Sequence, residues 1–301
     1  MDGIAGAQEL QAKLSDSFFL DDLDLVDRLF PSLTSGVRWG LERTEKALKI
    51  LGDPHRSYRT IHVGGTNGKG SVTSTVAAVL EAAGFRTGCY TSPHLCSFRE
   101  RIRVAGSPLT HDRVVGLAQE LRNVPEICGL SFFELATVLG LYAFECEDVE
   151  VAVIEVGLGG RLDATNVIHP EITAITNVAL DHSDYLGNSL SEIAREKLGI
   201  VKSGVPLITT ESDEDLLEIF REVTRDVGVP CLKANEPEPD RIDVNPDRTR
   251  FTLETNAWGQ IEIETPLVGR HQARNAALAV EILQHMPEDL RPELETLRTG
   301  I

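Results

Sequence analysis

Between Tyr58 and Ala83 the chain passes from a β-branched stretch through a glycine-rich loop into a helical stretch, and no other segment restricts the possible folds as much. Tyr58 to Val63 has the composition of a buried strand and Lys69 to Ala83 that of a helix, with Gly64, Gly65 and Gly68 in the turn between them and Gly70 at the helix start. A strand that feeds a helix through so tight a turn starts a β-α-β unit, and such units build parallel sheets with helices on the faces. The turn also carries chemistry. Glycines let backbone N–H groups close on phosphate oxygens, the helix N-terminus adds positive potential, and Lys69 can reach terminal phosphates. The spacing departs from the common G-x-x-x-x-G-K-[ST] form, because Val63 holds the first glycine position and Gly70 separates Lys69 from Ser71. The strand-turn-helix context still reads as a nucleotide site, against the alternative of a glycine turn without a ligand.

The alternation continues downstream. Arg86 to Tyr90 reads as a short strand, Thr110 to Asn123 and Ser131 to Cys146 as helices, and Val149 to Val156 as a strongly apolar strand. Ile172 to Val178 and Pro206 to Thr209 read as strands, Leu190 to Lys202 and Asp213 to Val227 as helices. From Arg241 to Pro266 the period changes to two, as in antiparallel strands; a last helix, His271 to His285, and a polar tail, Pro287 to Ile301, follow. The expected class is α/β, a mostly parallel sheet flanked by helices with a small antiparallel section. Three parts are expected: an N-terminal helical segment, 1–52, grouped around Phe18 to Leu29 and then Trp39 to Leu51; a nucleotide-binding domain, 53–290; and a linker, 291–301.

Composition narrows the partners. Lys and Arg number 29 against 47 Asp and Glu, a formal net charge of -18, which disfavours nucleic acid and anionic membranes. A dense acidic surface keeps a protein soluble where salt screens charge, so a salt-rich cytoplasm is one hypothesis and an ordinary acidic protein the other. Cys89, Cys96, Cys128, Cys146 and Cys231 show no CxxC pair or metal spacing and read as reduced cytosolic thiols. No apolar run is long enough to span a membrane, and the first residues carry no signal-peptide pattern.

The loop Gly65-Thr66-Asn67-Gly68-Lys69-Gly70-Ser71 resembles the signature of folylpolyglutamate and dihydrofolate synthases, within the Mur ligase superfamily. Further blocks agree in order: Gly40 to Arg43, Tyr90 to Leu95, Arg99 to Ile102, Phe132-Phe133-Glu134, Glu155 to Asn166, Leu180-Asp181-His182, Arg195-Glu196-Lys197, and Gly269 to Gln272 with Asn275. The resemblance covers roughly Gly40 to Asn275, and the Glu155 to Asn166 run is its most specific part.

The resemblance implies ATP and two Mg²⁺ ions. Glu155 ends the most apolar strand, where open parallel sheets place ligands, and a carboxylate suits a hard cation. By resemblance Ser92, His182 and Lys197 join it as metal ligands, Lys197 as a carbamate. From residue type alone, His182 reads as a loop histidine, Ser92 as a turn residue before Pro93, and Lys197 as a solvated charge; the family pattern is what reverses these readings. Phe132, Phe133, Glu134, Leu162, Asp163 and Ala164 line the pteridine side by resemblance, although core packing accounts for the two phenylalanines as well. Asn275 meets the adenine end of ATP by resemblance, or else bonds a helix terminus.

The implied reaction joins L-glutamate to dihydropteroate or to a folate through an acyl phosphate, with Lys69, Glu155, His182 and Lys197 as catalytic groups. Relatives carry a second α/β domain with the glutamate site, expected beyond Ile301, and are commonly monomers. Another Mur-type amide ligase and a nucleotide-binding module without ligase chemistry are the competing readings.

Overall fold

The computed structural model of the protein describes residues 39–181 and 183–301. The helices expected before Trp39, and His182, lie outside these residues.

After a first helix α1, Glu42–Ile50, come β1, Arg59–Gly64, then α2, Lys69–Ala82, and β2, Thr87–Tyr90. A hairpin not expected from sequence follows, β3, Ile102–Val104, and β4, Ser107–Pro108, before helices α3, His111–Arg122, and α4, Phe132–Cys146. Next are β5, Val151–Glu155, and β6, Ile172–Ile175, then α5, Ser183–Leu186, α6, Leu190–Leu198, β7, Leu207–Thr209, α7, Glu214–Val227, and β8, Cys231–Lys233. The period-two stretch forms β9, Asp243–Val244, β10, Thr249–Thr255, and β11, Gly259–Thr265, and α8, Arg270–Gln284, and α9, Leu294–Gly300, close the described chain.

Eight strands form one sheet in the order β4-β3-β2-β5-β1-β6-β7-β8, while β9 to β11 form a separate antiparallel sheet. From β2 through β8 all pairings are parallel; β3 and β4 add an antiparallel edge. Central β5 is buried along its whole length, which is why its sequence is continuously apolar rather than alternating. One face of the sheet packs Ile61 and Val63 of β1 against Val72 and Val76 of α2 and Leu278 and Ile282 of α8. The other packs Ile154 of β5 against Leu139 and Phe144 of α4, with Leu117 of α3 beyond. Helices α6 and α7 cover the β6–β7 side through Ile193, Leu198 and Phe220.

Two expectations change. The stretch read as a polar tail contains α9, whose Leu297 is fully buried, and a Cβ on its Gly300 would lie 2.5 Å from Val79 Cα of α2. One apolar residue per turn is enough to dock so short a helix, and that is too sparse a signal to stand out in a polar stretch. The β6 strand stops at Ile175, because Thr176 to Val178 leave the sheet to hold the phosphate loop. Among the described residues no helix is long and apolar enough to cross a membrane.

Because β1 lies between β5 and β6, the chain reverses its direction of travel across the sheet at β1, and the crevice beyond the C-terminal strand ends opens there.

Candidate active site

The glycine loop leaves β1 at this crevice, and its shape rests on the backbone. Gly65 has φ +133, and a Cβ there would lie 1.9 Å from Thr176 Oγ1. Gly68 has φ +84 and starts α2 as its N-cap, where a Cβ would lie 2.3 Å from Asn275 Oδ1. No L side chain fits either position without displacement. The segment after β6 clamps the loop: Thr66 N donates to Asn177 O at 2.9 Å, Asn67 N donates to Asn177 Oδ1 at 3.2 Å, and Asn177 Nδ2 donates back to Asn67 O at 3.1 Å. Thr66 Oγ1 accepts from Ala179 N at 3.0 Å. Asn177 was missed in the sequence, since its partner lies 110 residues away.

Two lysines meet the loop. Lys69 Nζ donates to the carbonyls of Gly65, at 3.2 Å, and Thr66, at 3.1 Å. Lys197, at 3% exposure, donates to the same Gly65 oxygen at 2.9 Å. Burial and the neighbouring Lys69 charge push the Lys197 amine down to about 8.

Across from the loop, Glu155 ends β5 at 4% exposure. Burial pushes its carboxyl up to about 7, opposed by the Ser92 amide, which donates to Oε2 at 3.0 Å, and by Lys69, Arg101 and Arg103. A Cβ on Gly70 would sit 3.6 Å from that same Oε2, so the carboxylate and the first turn of α2 are neighbours. Arg101 is itself buried, donates from Nε to His94 Nδ1 at 2.8 Å and has its guanidinium carbon 5.3 Å from the Phe132 ring centre. The Arg99 to Ile102 block gave the sequence signal for Arg101 without a role.

Beyond the loop a cavity of about 330 Å³ opens between the N-terminal turn of α8 and the loop, lined by Asn67, Gly68, Ser71, Asn177, Gln272 and Asn275 among others. Asn275 Nδ2 donates to Gln272 Oε1 at 2.9 Å, so the amide is oriented across the cavity wall rather than capping the helix. Ser71 and Asn275 therefore face one space although they lie far apart in sequence.

The residues expected on the pteridine side are placed differently from one another. Glu134 is buried, caps α4 by accepting from Ser131 N at 2.7 Å, and pairs with Arg43 at 2.8 Å. Phe132 stands edge-on to Phe98, with ring centres 6.1 Å apart, and Phe133 packs beneath Gly157, where a Cβ would lie 2.2 Å from its ring. Asp163 and Ala164 are buried and Leu162 is half-buried. Asp163 accepts from Leu158 N at 2.8 Å and from Thr165 N at 3.0 Å, which closes the Gly157–Gly160 loop. Asn166 Nδ2 pins the next turn to the carbonyls of Arg161 and Gly199, both at 3.0 Å.

Among the described residues no three His, Cys, Asp or Glu side chains gather as a metal cluster. The donor set that is described fits Mg²⁺ at Glu155, a desolvated carboxylate beside the loop, whose Oε2 accepts from the Ser92 backbone N–H. An ammonium at Lys197 does not fit a cation, and His182 lies outside the described residues.

The family model of the Mur ligase middle domain matches residues 63–283, which takes in the loop, Glu155 and Asn275. This chain belongs to the Mur ligase family. Among its members, a dihydrofolate synthase/folylpolyglutamate synthase of Bacillus subtilis is 33% identical over 287 residues, covering 89% of this chain and 65% of that protein. A folylpolyglutamate synthase of Lacticaseibacillus casei is 37% identical, covering 78% of this chain and 56% of that protein. The chain therefore spans less than two-thirds of the length of either. The apo form of the L. casei enzyme superposes with a TM-score of 0.85 at 33% identity, covering 92% of this chain and 70% of that one. A folylpolyglutamate synthase complex with AMPPCP and folate gives the same TM-score, 0.85, at 33% identity.

Proposed function

We propose that this chain forms the ATP-binding part of a Mg²⁺-dependent ligase that attaches L-glutamate to the carboxylate of dihydropteroate or of a folate. The observation that carries this reading is the convergence at one crevice of the glycine loop with Lys69, the buried Glu155 carboxylate and the cavity at Asn275. AMPPCP and folate are what a structural relative holds.

In this reading the triphosphate lies along the loop amides at the N-terminus of α2, and the base enters the cavity beside Gln272 and Asn275. The Lys69 ammonium, already at the loop, meets the terminal phosphates and offsets charge as the γ-phosphoryl passes to the acceptor carboxylate. The acceptor gains an acyl phosphate, the glutamate amine attacks its carbonyl carbon, and phosphate leaves. Glu155 would hold Mg²⁺, and Ser92, His182 and a carbamylated Lys197 would complete the ligands of two ions. Magnesium, when bound, neutralises the phosphates so that two anions can meet. An amine held near 8 is neutral often enough to react with carbon dioxide, and the resulting carbamate turns a buried cation into an oxygen ligand. We place the protein in the cytoplasm as a monomer.

The test is phosphate release from ATP by the natural full-length protein with Mg²⁺ and L-glutamate, comparing dihydropteroate with tetrahydrofolate. Release that requires one of these acceptors and glutamate supports the reading and identifies the acceptor. Release with neither, while ATP still binds, points to another Mur-type acceptor or to a binding module.

A further inference from the structure

Behind Asp163 lies a buried polar chain that the proposed reaction does not use. His62, in the middle of β1, is fully buried between Ile154 of β5 and Thr173 of β6 in register. Its Nε2 lies 2.9 Å from Thr165 Oγ1, and Thr165 Oγ1 in turn donates to Asp163 Oδ1. A carboxylate only accepts, so the single hydroxyl proton of Thr165 goes to Asp163 and the hydroxyl oxygen accepts from His62. The imidazole therefore carries its proton on Nε2. Its Nδ1 is buried and has no hydrogen-bond partner among the described residues. Burial pushes this imidazole down to about 3, with the Lys202 charge acting the same way, so the ring stays neutral.

A buried imidazole with one bare nitrogen costs stability that an apolar side chain at the same strand position would not. Its return is the one bond to Thr165. That bond braces a short path: Thr165 holds Asp163, Asp163 holds Leu158 N, and Leu158 is three residues beyond Glu155. On the far side, Lys202 Nζ donates to Asn166 O at 2.6 Å, so the turn after Asp163 is gripped from two directions.

We propose that His62 and Thr165 are positioning residues for the acceptor side, holding the Asp163 carboxylate and the Gly157–Leu158 backbone in one arrangement beside Glu155. The consequence for the acceptor rests on the ligase reading above; the brace itself does not. Neither residue touches the glycine loop's amides, so ATP should be insensitive to their loss.

Thr165→Val keeps the shape and removes the hydroxyl, whereas Thr165→Ser keeps the hydroxyl; His62→Leu and His62→Gln make the same pair one step further back. Amide hydrogen exchange of the 157–163 segment, read without substrates, should speed up about tenfold in Thr165→Val and His62→Leu and return close to wild type in the Ser and Gln variants. In full-length protein the acceptor KM should rise about tenfold in Thr165→Val, with the ATP KM within about twofold of wild type. Unchanged exchange in folded Thr165→Val and His62→Leu overturns the brace. Equal rises in both KM values, or no rescue by Thr165→Ser, overturn the assignment to the acceptor side. A wild type that turns over neither acceptor removes the ligase reading, while the exchange comparison still decides the brace.

Discussion

On the side of the crevice proposed for the nucleotide, the loop Gly64 to Gly70 offers backbone amides and one ammonium, whereas on the side proposed for the acceptor, residues 157–166 are held by side chains that bond one another. The loop's geometry is carried by backbone: Gly65 and Gly68 adopt positive φ with no room for a Cβ against Thr176 and Asn275, and Asn177 clamps the same loop. The acceptor side is assembled from a distance. Glu134 takes its partner from Arg43, Asp163 from Thr165 and, through it, His62, and Gly157 makes room for Phe133. A phosphate needs only N–H groups and positive charge, which a turn supplies by itself, whereas a shaped wall needs side chains fixed by others.

The comparison breaks most directly at Lys69. Lys69→Ala should lower acceptor-dependent phosphate release at least about a thousandfold with little change in Tm, because positioning and charge dominate phosphoryl transfer. A residual rate near wild type would mean that Lys69 only ties the loop's carbonyls.

Glu155 tests the metal end. Its folded carboxyl lies above the unfolded value of 4.5, at about 7, so folding favours the proton. Stability is therefore fully present below about pH 4.5, is lost as pH rises through 7, and the ionised group then costs up to about 3 kcal/mol. Glu155→Gln should melt higher than wild type at pH 8 without Mg²⁺ and no differently at pH 4. A thermal scan at the two pH values checks this, and the gap at pH 8 should narrow when Mg²⁺ is added to wild type. An equal Tm difference at both pH values would assign Glu155 a structural role.

Gly157→Ala sharpens the acceptor side. The added methyl meets the Phe133 ring at 2.2 Å, so the ring or the loop must move. Chemical denaturation should show a loss of about 1–3 kcal/mol, with the acceptor KM raised and the ATP KM held.

The smallest effect concerns the whole surface. The -18 net charge repels itself, while surface pairs such as Arg195–Glu222 contribute at most about 1 kcal/mol each. Added KCl should raise Tm by a few degrees; a fall would show that the ion pairs outweigh the net repulsion.

The α/β order and the nucleotide loop were legible in the sequence because both are local: apolar runs for β1 and β5, glycines at Gly65 and Gly68, a basic residue at the helix start. The antiparallel hairpin β3–β4 was not, since Ile102–Val104 is only three residues long and Pro108 closes its partner strand. Helix α9 was hidden by its polar composition, with Leu297 as its one buried residue. The family blocks held Glu134 and Asp163 and also Arg43 and Thr165, but that Glu134 pairs with Arg43 and Asp163 with Thr165 follows only from the fold. Asn177 could not be found from spacing, because its task is set by where β6 ends.

If ATP lies along the glycine loop with its base against Asn275, Gly68 is where those two parts touch. Titrating AMPPCP with Mg²⁺ into wild type and Gly68→Ala tests it, since the added Cβ would lie 2.3 Å from Asn275 Oδ1. Binding should weaken at least about tenfold in a folded variant, as positive φ and the contact both oppose the side chain. Unchanged affinity in Gly68→Ala would contradict it and move the nucleotide elsewhere.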